Sequence, residues 1–348
     1  ISSNITSQLM DIDKDGSWDM LLFQLTIEAQ KTERFSLEWF EKGEYPAFKQ
    51  LTNVFLGYSE KRDGNYISLD QRSREGDRPS EESPYSYQFE GPGWESNLVA
   101  YRHYFDTRNG KDIFGKTTED MIVNSIGLGE NYHQLQPWGM DILKVGTSLG
   151  AGALAMYKND SLVRLGVTKE ASFTKLHAGP LLSSFQLTYS DWKVLDENYD
   201  MEETITITAN SRFYQSEIVL KSQSENRIDT LVTGIVNFHN ADLKELRSSG
   251  MTALTSHSER QSENKDALGM AILAHDDAYL GASKAPAQGA GITKSELVYL
   301  KPKSGKYQFY FYTGWELEAD QFADQEQFRV SVESTMRDIT AELKVQIR

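Results

Sequence analysis

The chain contains no cysteine. That excludes disulfides, thiol nucleophiles and cysteine-ligated zinc, and it is compatible with an oxidising periplasm without requiring one. No apolar run approaches the ~20 residues that a membrane-spanning helix needs. Basic residues are outnumbered by acidic ones, 36 against 51, for a net charge of −15. That balance opposes nucleic acid and anionic membrane as partners. An anionic sugar can still be bound, provided the site concentrates cations locally. None of the six histidines falls in a His-x-His or H-E-x-x-H pattern, so a catalytic zinc is not indicated. G-T-S-L-G-A-G (146–152) lacks the spacing and lysine of a phosphate loop, and no G-x-S-x-G elbow occurs. The chain opens ISSNITSQ, without a basic and apolar leader, so an export signal is expected to be removed or absent.

What is present reads as a folded, strand-rich protein. Hydrophobic residues make up 39% and charged residues 25% of 348, enough for a substantial core. One domain over 1–348 is expected, because large all-β units often run as one. Runs rich in apolar and β-branched residues, many of them alternating with polar ones, predict strands over 20–30, 34–40, 181–192, 201–210, 215–223, 229–238, 267–275, 295–302 and 306–315. The fold class is therefore all-β, with stacked antiparallel sheets. The best helix is 323–339, with Asp324 as its cap and Gln327 three residues on. A short helix over 119–126, a closing strand over 341–348, and long polar loops over 71–88 and 257–266 complete the reading.

Chemistry concentrates between Trp94 and Gly150. Glu95, Arg102, His103, Asp106, Arg108, Asp112, Tyr132, His133, Asp141 and Lys144 gather there with Trp94 and Trp138. Acids, bases and aromatics at that density point to a cleft for a polar, anionic substrate, though ion pairs tying down an irregular loop would cluster in the same way. Arginine holds a carboxylate through paired hydrogen bonds, and Arg102, Arg108 and Lys144 would supply the positive charge. In a strand from 98 to 106, Arg102, Tyr104 and Asp106 share one face, and Tyr101, His103 and Phe105 the other. The Arg102 face is the favoured one. Tyr132 and His133 are proton-transfer candidates. They are adjacent, so both reach one substrate only if the backbone over 129–138 is irregular, as Gly127, Gly129, Pro137 and Gly139 imply. Trp138 can stack on a sugar ring. Glu95, Tyr104, Asp106, Arg108, Asp141, His177 and Arg212 complete the substrate-binding set. On this reading, loss of Arg102 removes carboxylate-dependent activity and leaves the fold intact. If His133 is not the catalytic histidine, the role passes to His103 or His177.

Separately, D-I-D-K-D-G-S-W-D (11–19) places Asp11, Asp13, Asp15 and Asp19 at loop positions one, three, five and nine, with Gly16 at six. Calcium loops use this spacing, but position twelve is Leu22 where an EF-hand carries Glu. A structural Ca2+ loop between strands is one reading; an Asx-rich turn without metal is the other.

Several of these segments resemble a known family. G-W-E-S-N-L-V-A-Y-R (93–102), D-x-R-N-x-x-D-I-F-G-K (106–116), Y-H (132–133), W-G-M-D-I-L-K-V-G-x-S-L-G (138–150), G-P-L-x-S-x-F-x-L-x-Y (179–189) and T-G-W-E-L (313–317) are similar to ulvan oligosaccharide dehydratase-like proteins of bacterial polysaccharide utilisation. The resemblance covers the chain from about residue 90 onward. It implies an exported, periplasmic or otherwise extracytoplasmic protein with a galactose-mutarotase-like β-supersandwich. It also implies carbon–oxygen lyase chemistry on uronic-acid oligosaccharides, with no organic cofactor. Removing water across carbons 4 and 5 of a hexuronate needs a group that neutralises the carboxylate, a base and an acid. Arg102 and Lys144 suit the first task, Tyr132 and His133 the others. A polysaccharide lyase uses the same equipment, fold analogy alone favours an epimerase or mutarotase, and a carbohydrate-binding protein would need no proton-transfer pair.

Overall fold

The structure, a computed structural model, describes residues 5–28, 30–37, 45–61, 63–222, 229–239, 241, 243–342 and 345. Alternation decides most of its strands. In Glu197–Thr208 the side chains of Met201, Ile205 and Ile207 are buried, and Thr204, Thr206 and Thr208 lie on the opposite face. β-Branched residues suit such a pleated, half-buried surface.

Three antiparallel sheets make up the bulk of the described residues. The largest has nine strands, in the order Leu243–Ser248, Met251–Ser258, Leu268–His275, Tyr307–Trp315, Phe213–Ser222, Glu197–Thr208, Leu182–Val194, Glu170–His177 and Gln71–Glu75. A five-stranded sheet runs Ser161–Arg164, Ala151–Lys158, Thr230–Val236, Ser295–Leu300 and Tyr279–Lys284. The other five-stranded sheet carries the candidate site, in the order Gly139–Asp141, Lys111–Lys116, Val99–His103, Gly93–Ser96 and Thr52–Phe55. One hydrophobic core joins all three. Trp94 and Tyr101 of the site sheet meet Phe185 and Tyr214 of the largest sheet, with ring centroids 5.2 Å and 5.0 Å apart. Burying a phenylalanine such as Phe185 is worth about 1.5–3 kcal/mol. A buried ion pair bridges the same interface, Lys111 Nζ to Glu203 Oε1 at 2.7 Å. Stacked antiparallel sheets are thus the architecture, as the alternation predicts.

The long helix is Gln325–Thr340, and the Asp324 carboxylate accepts the Gln327 amide at 2.8 Å. Phe328, Val332 and Met336, spaced by four, bury one stripe against Met251, Ala253, Ala271 and Leu273 of the largest sheet.

Five expectations need correction. Residues 71–88 are not one loop: Gln71–Glu75 is the edge strand of the largest sheet, followed by a 3-10 turn at Ser80–Glu82 and a short helix at Ser83–Ser86. Tertiary pairing overrides the polar composition, and Arg74 is buried with its guanidinium donating to the Asp106 carbonyl and Asn109 Oδ1. The 119–126 segment is a run of turns rather than a helix, because the Glu95 carboxylate takes the Ile122 and Val123 amides. The strand at 20–30 shrinks to Met20–Phe23, which pairs with Ser7–Met10 in a two-stranded sheet. Residues 34–37 are irregular, and the rest of the 34–40 strand lies outside the described residues. The expected strand at 98–106 ends at His103, after which the chain turns. Of the closing strand over 341–348, most lies outside the described residues.

Candidate functional site

The outer face of the site sheet is built by register. Arg102 and Asp112 stand directly opposite each other on neighbouring strands, and Asp141 pairs with Phe114 on the next. Gly139 makes the last placement possible: its φ of +127° is a glycine conformation, and a Cβ there would run into the Gly115 carbonyl. The W-G-M-D motif therefore sets Asp141 beside Arg102. One guanidinium nitrogen, Arg102 Nη2, donates to Asp112 Oδ2 at 2.7 Å, Asp141 Oδ2 at 2.6 Å and the Tyr104 hydroxyl at 2.9 Å, while Nε reaches Asp112 Oδ2 at 3.1 Å. The Tyr104 hydroxyl donates to Asp112 Oδ2 at 2.5 Å. Arg102 is only 2% exposed. The alternation argument holds for its neighbours: Tyr104 joins this network, whereas His103 points inward to the Tyr189 hydroxyl at 3.1 Å.

The segment from Thr117 to Trp138 lies over this face as a chain of turns. Ile122, Val123 and Ile126 anchor it in a small core with Phe55, Phe89, Ala100 and Phe114. Its backbone is irregular over 129–138, as expected. The Tyr132 carbonyl accepts the Asp141 amide at 2.8 Å, which fixes the loop beside the network. Tyr132 and Trp138 both pack edge-on to the Phe114 ring, at 6.0 Å and 6.1 Å. The Tyr132 hydroxyl comes 3.4 Å from Arg102 Nη1, and His133 Nδ1 lies 3.2 Å from Asp141 Oδ2. So Tyr132 and His133 both meet the arginine network, one directly and one through Asp141. The His133 side chain is 63% exposed.

A second arginine completes the cluster. Arg108 binds Asp106 through Nε at 2.9 Å and Nη2 at 2.6 Å, and Glu90 Oε1 through Nη2 at 2.8 Å. Both guanidinium carbons lie over the Tyr104 ring, Arg108 at 4.1 Å and Arg102 at 4.7 Å. Glu90 also stands 3.5 Å from Arg102 Nη1. Four carboxylates, those of Glu90, Asp106, Asp112 and Asp141, thus surround two guanidiniums. The arginines that the sequence marks as anion-attracting are already paired.

The titration behaviour follows from that crowding. Burial and the neighbouring Asp141 carboxylate push Asp112 up to about 7 against the pull of Arg102. Burial opposes the charge on Arg102, but Asp141, Tyr104 and Asp112 hold it firmly protonated. The hydrogen bond to Asp141 raises His133 above an ordinary histidine. Burial raises the Tyr132 phenol, with Arg102 opposing. Burial, then Lys111 and Arg74, pull His103 well below the usual histidine range.

Other sequence candidates stand apart from this network. Glu95 is fully buried and committed, with Lys116 Nζ at 3.0 Å and the Ile122 amide at 2.8 Å on Oε2. Lys144 is exposed, with its ammonium 5.8 Å from the Phe238 ring centroid. His177 shares no hydrogen bond or ion pair with this network among the described residues; burial lowers its pKa, with the Lys14 charge adding and Asp11 opposing. Arg212 forms a two-pronged pair with Glu318, at 2.9 Å and 2.7 Å. Asp106, by contrast, belongs to the cluster through Arg108, but it has left the strand and turns back to accept the Arg108 amide at 2.9 Å. Two members of the network escaped selection as site residues, Asp112 and Glu90. Pairing A-Y-R-H against K-D-I-F across a hairpin would have placed Asp112 opposite Arg102; no local signal marks Glu90.

In the Asp loop, one carboxylate oxygen from each of Asp11, Asp13 and Asp15 can lie within 4.8 Å of the others. Among the described residues, these three form the acidic group placed to hold a cation. Asp19 instead accepts the Ile12 amide at 2.7 Å. Asp11, Asp13 and Asp15 also accept the amides of Gly16, Asp15 and Ser17, as an Asx-rich turn does.

The chain is 24% identical over 241 residues to "Uncharacterized protein P7" of Formosa agariphila, covering 64% of this chain and 53% of that one. The chain thus spans about half the length of that relative. Among solved structures, it is similar to a quadruple mutant of an alpha-N-acetylgalactosaminidase from Bifidobacterium bifidum at 11% identity and TM-score 0.34, covering 69% of this chain and 38% of that one. A putative aldose 1-epimerase from Klebsiella pneumoniae matches at 7% identity and TM-score 0.33, covering 84% and 97%. The family is clearer than these neighbours: a single family model matches residues 2–345, and the chain belongs to that family, described as Domain of unknown function (DUF4861).

Proposed function

We propose that this protein is a carbon–oxygen lyase of uronic-acid oligosaccharides, a hydro-lyase that removes water from a terminal uronic acid such as that of ulvan fragments. The observation that carries this reading is the convergence of Tyr132 and His133 on one buried arginine–carboxylate network, at 3.4 Å and 3.2 Å. In the reaction, His133, oriented by Asp141, takes the proton from carbon 5. The electrons form the double bond between carbons 4 and 5, and the bond from carbon 4 to oxygen breaks. The Tyr132 phenol, kept protonated by burial, donates its proton to the departing hydroxyl, which leaves as water. Arg102 Nη1, whose contacts are the longest in the fork, faces the substrate carboxylate. Half-buried Trp138 stacks on the sugar. The resemblance of the motifs supports an extracytoplasmic setting. Saturated uronate oligomers should lose one water and gain ultraviolet absorbance without shortening. Shortened chains with the same absorbance would make it a polysaccharide lyase. A carbohydrate-binding protein would keep its affinity with both Tyr132 and His133 substituted.

The pH profile follows from the base. His133 works only when neutral, and Asp141 raises its pKa, so turnover should climb with pH through a midpoint above the usual 6.5. Asp141→Asn removes the raising partner. Its residual activity should show that midpoint moved to lower pH. An unmoved midpoint would separate Asp141 from the base.

For the Asp loop we propose a structural Ca2+ on Asp11, Asp13 and Asp15, with Asp19 bracing the turn. Four acids within nine residues repel one another, and a cation relieves this. Chelator should lower the melting temperature, and added calcium should restore it. Superimposable melting curves would leave the turn metal-free.

A further inference from the structure

The network contains one carboxylate whose position is hard to explain as support. Glu90 sits on two consecutive left-handed residues that both carry side chains, Phe89 at φ 40° and Glu90 at φ 73°. Such backbone is held only where the surroundings over-determine it, and it gathers at functional sites. Here the surroundings are plain: Phe89 is wedged against Phe55 and Phe114, and the Glu90 carbonyl accepts the Phe105 amide at 2.9 Å. The result is a carboxylate delivered between two arginines, 2.8 Å from Arg108 Nη2 and 3.5 Å from Arg102 Nη1. Glu90 is 16% exposed and Arg108 33%, so this spot touches solvent, unlike Asp112 and Asp141 on the inner side of the same guanidinium. Tyr132 closes it from the side, 3.4 Å from the same Arg102 nitrogen.

We propose that the notch between Arg102 and Arg108 is the subsite for the substrate's carboxylate, and that Glu90 fills it as a built-in competitor which the substrate displaces. The inference rests on reading the substrate as a uronic acid. A glutamate carboxylate and a uronate carboxylate offer the same two oxygens to the same donors. Asp112 and Asp141 keep Arg102 in place during the exchange, and Asp106 keeps Arg108 in place. Glu90 then has only to swing toward solvent. The arrangement also selects: a neutral sugar has nothing with which to replace the lost carboxylate.

The test is calorimetric titration of the full chain with glucuronate and, in parallel, glucose. Glu90→Gln keeps the size of the side chain and removes its charge. It should bind glucuronate about tenfold more tightly or better, as expected for deleting a unit charge a few ångströms from the ligand's own. Glucose should not gain. Glu90→Ala should show the same preference and guards against a local effect of the amide. Adding Arg108→Ala to Glu90→Gln should reverse the gain. Glucuronate bound no more tightly by either Glu90 variant, an equal gain for glucose, or no glucuronate binding by any form would overturn the proposal. Turnover of uronate oligomers by the unaltered chain is scored separately. Turnover without a gain in Glu90→Gln refutes the competitor and leaves the lyase reading standing. A gain without turnover does the reverse.

Discussion

Arg102→Ala is expected to destabilise the protein by about 3–5 kcal/mol, the usual cost of removing one partner from a buried ion cluster. This reverses the expectation that Arg102 can be removed with the fold intact. The side chain is 2% exposed, and the two carboxylates it holds are 1% and 4% exposed. Without it, Asp112 and Asp141 face each other with little water and no cation between them. The deficit should depend on pH, and its sign is determined. A carboxyl whose pKa is higher folded than unfolded costs the folded state most above both values and nothing below them. Asp112 already lies at about 7 with Arg102 present, against an ordinary 3.8. Removing Arg102 takes away a lowering influence and raises it further. Urea melts should therefore show a smaller deficit near ~pH 5 than near ~pH 8. Arg102→Lys restores the charge but not the fork, and should recover only part of the loss. A variant lacking Arg102 that melts like the parent at both pH values would refute the account of the network.

His133→Ala should behave in the opposite way. Its side chain is 63% exposed and it pairs with Asp141. Removing it should leave the denaturation midpoint close to that of the parent. Turnover of uronate oligomers should fall by about 100-fold or more, the usual effect of losing a general base. Tyr132→Phe should lose activity comparably, since only the hydroxyl is removed and the packing on Phe114 is kept. Parental turnover in His133→Ala would discard this assignment. The earlier alternatives would not then inherit the role easily. His103 is buried against Tyr189, and the charges that act on His177 are those of Lys14 and Asp11, not those of the arginine network.

Much of this molecule is legible one segment at a time. Glu197–Thr208 and Tyr307–Trp315 announce themselves by alternation, and Asp324 by its place before the long helix. Period two also separates Arg102 and Tyr104 from His103, and the glycines around residues 127–139 announce irregular backbone. These are local properties, decided by a residue and its near neighbours. Local propensity misleads where a distant group intervenes. Gln71–Glu75 looks like loop until Glu170–His177 pairs with it, and 119–126 looks like helix until Glu95 takes its amides.

For the site, the amino-acid order alone determined which residues gather in one region, which of them share a strand face, and where the backbone must break. Only the tertiary structure decided what each charge is for. Glu95 and Arg212 look as available in sequence as Asp141, yet each is consumed by an internal partner, while Asp141 links a buried guanidinium to an exposed imidazole. The physical reason is that a charged side chain acts according to its burial and to the opposite charges within a few ångströms. Those partners come from strands and loops up to 106 residues away, so no local pattern records them.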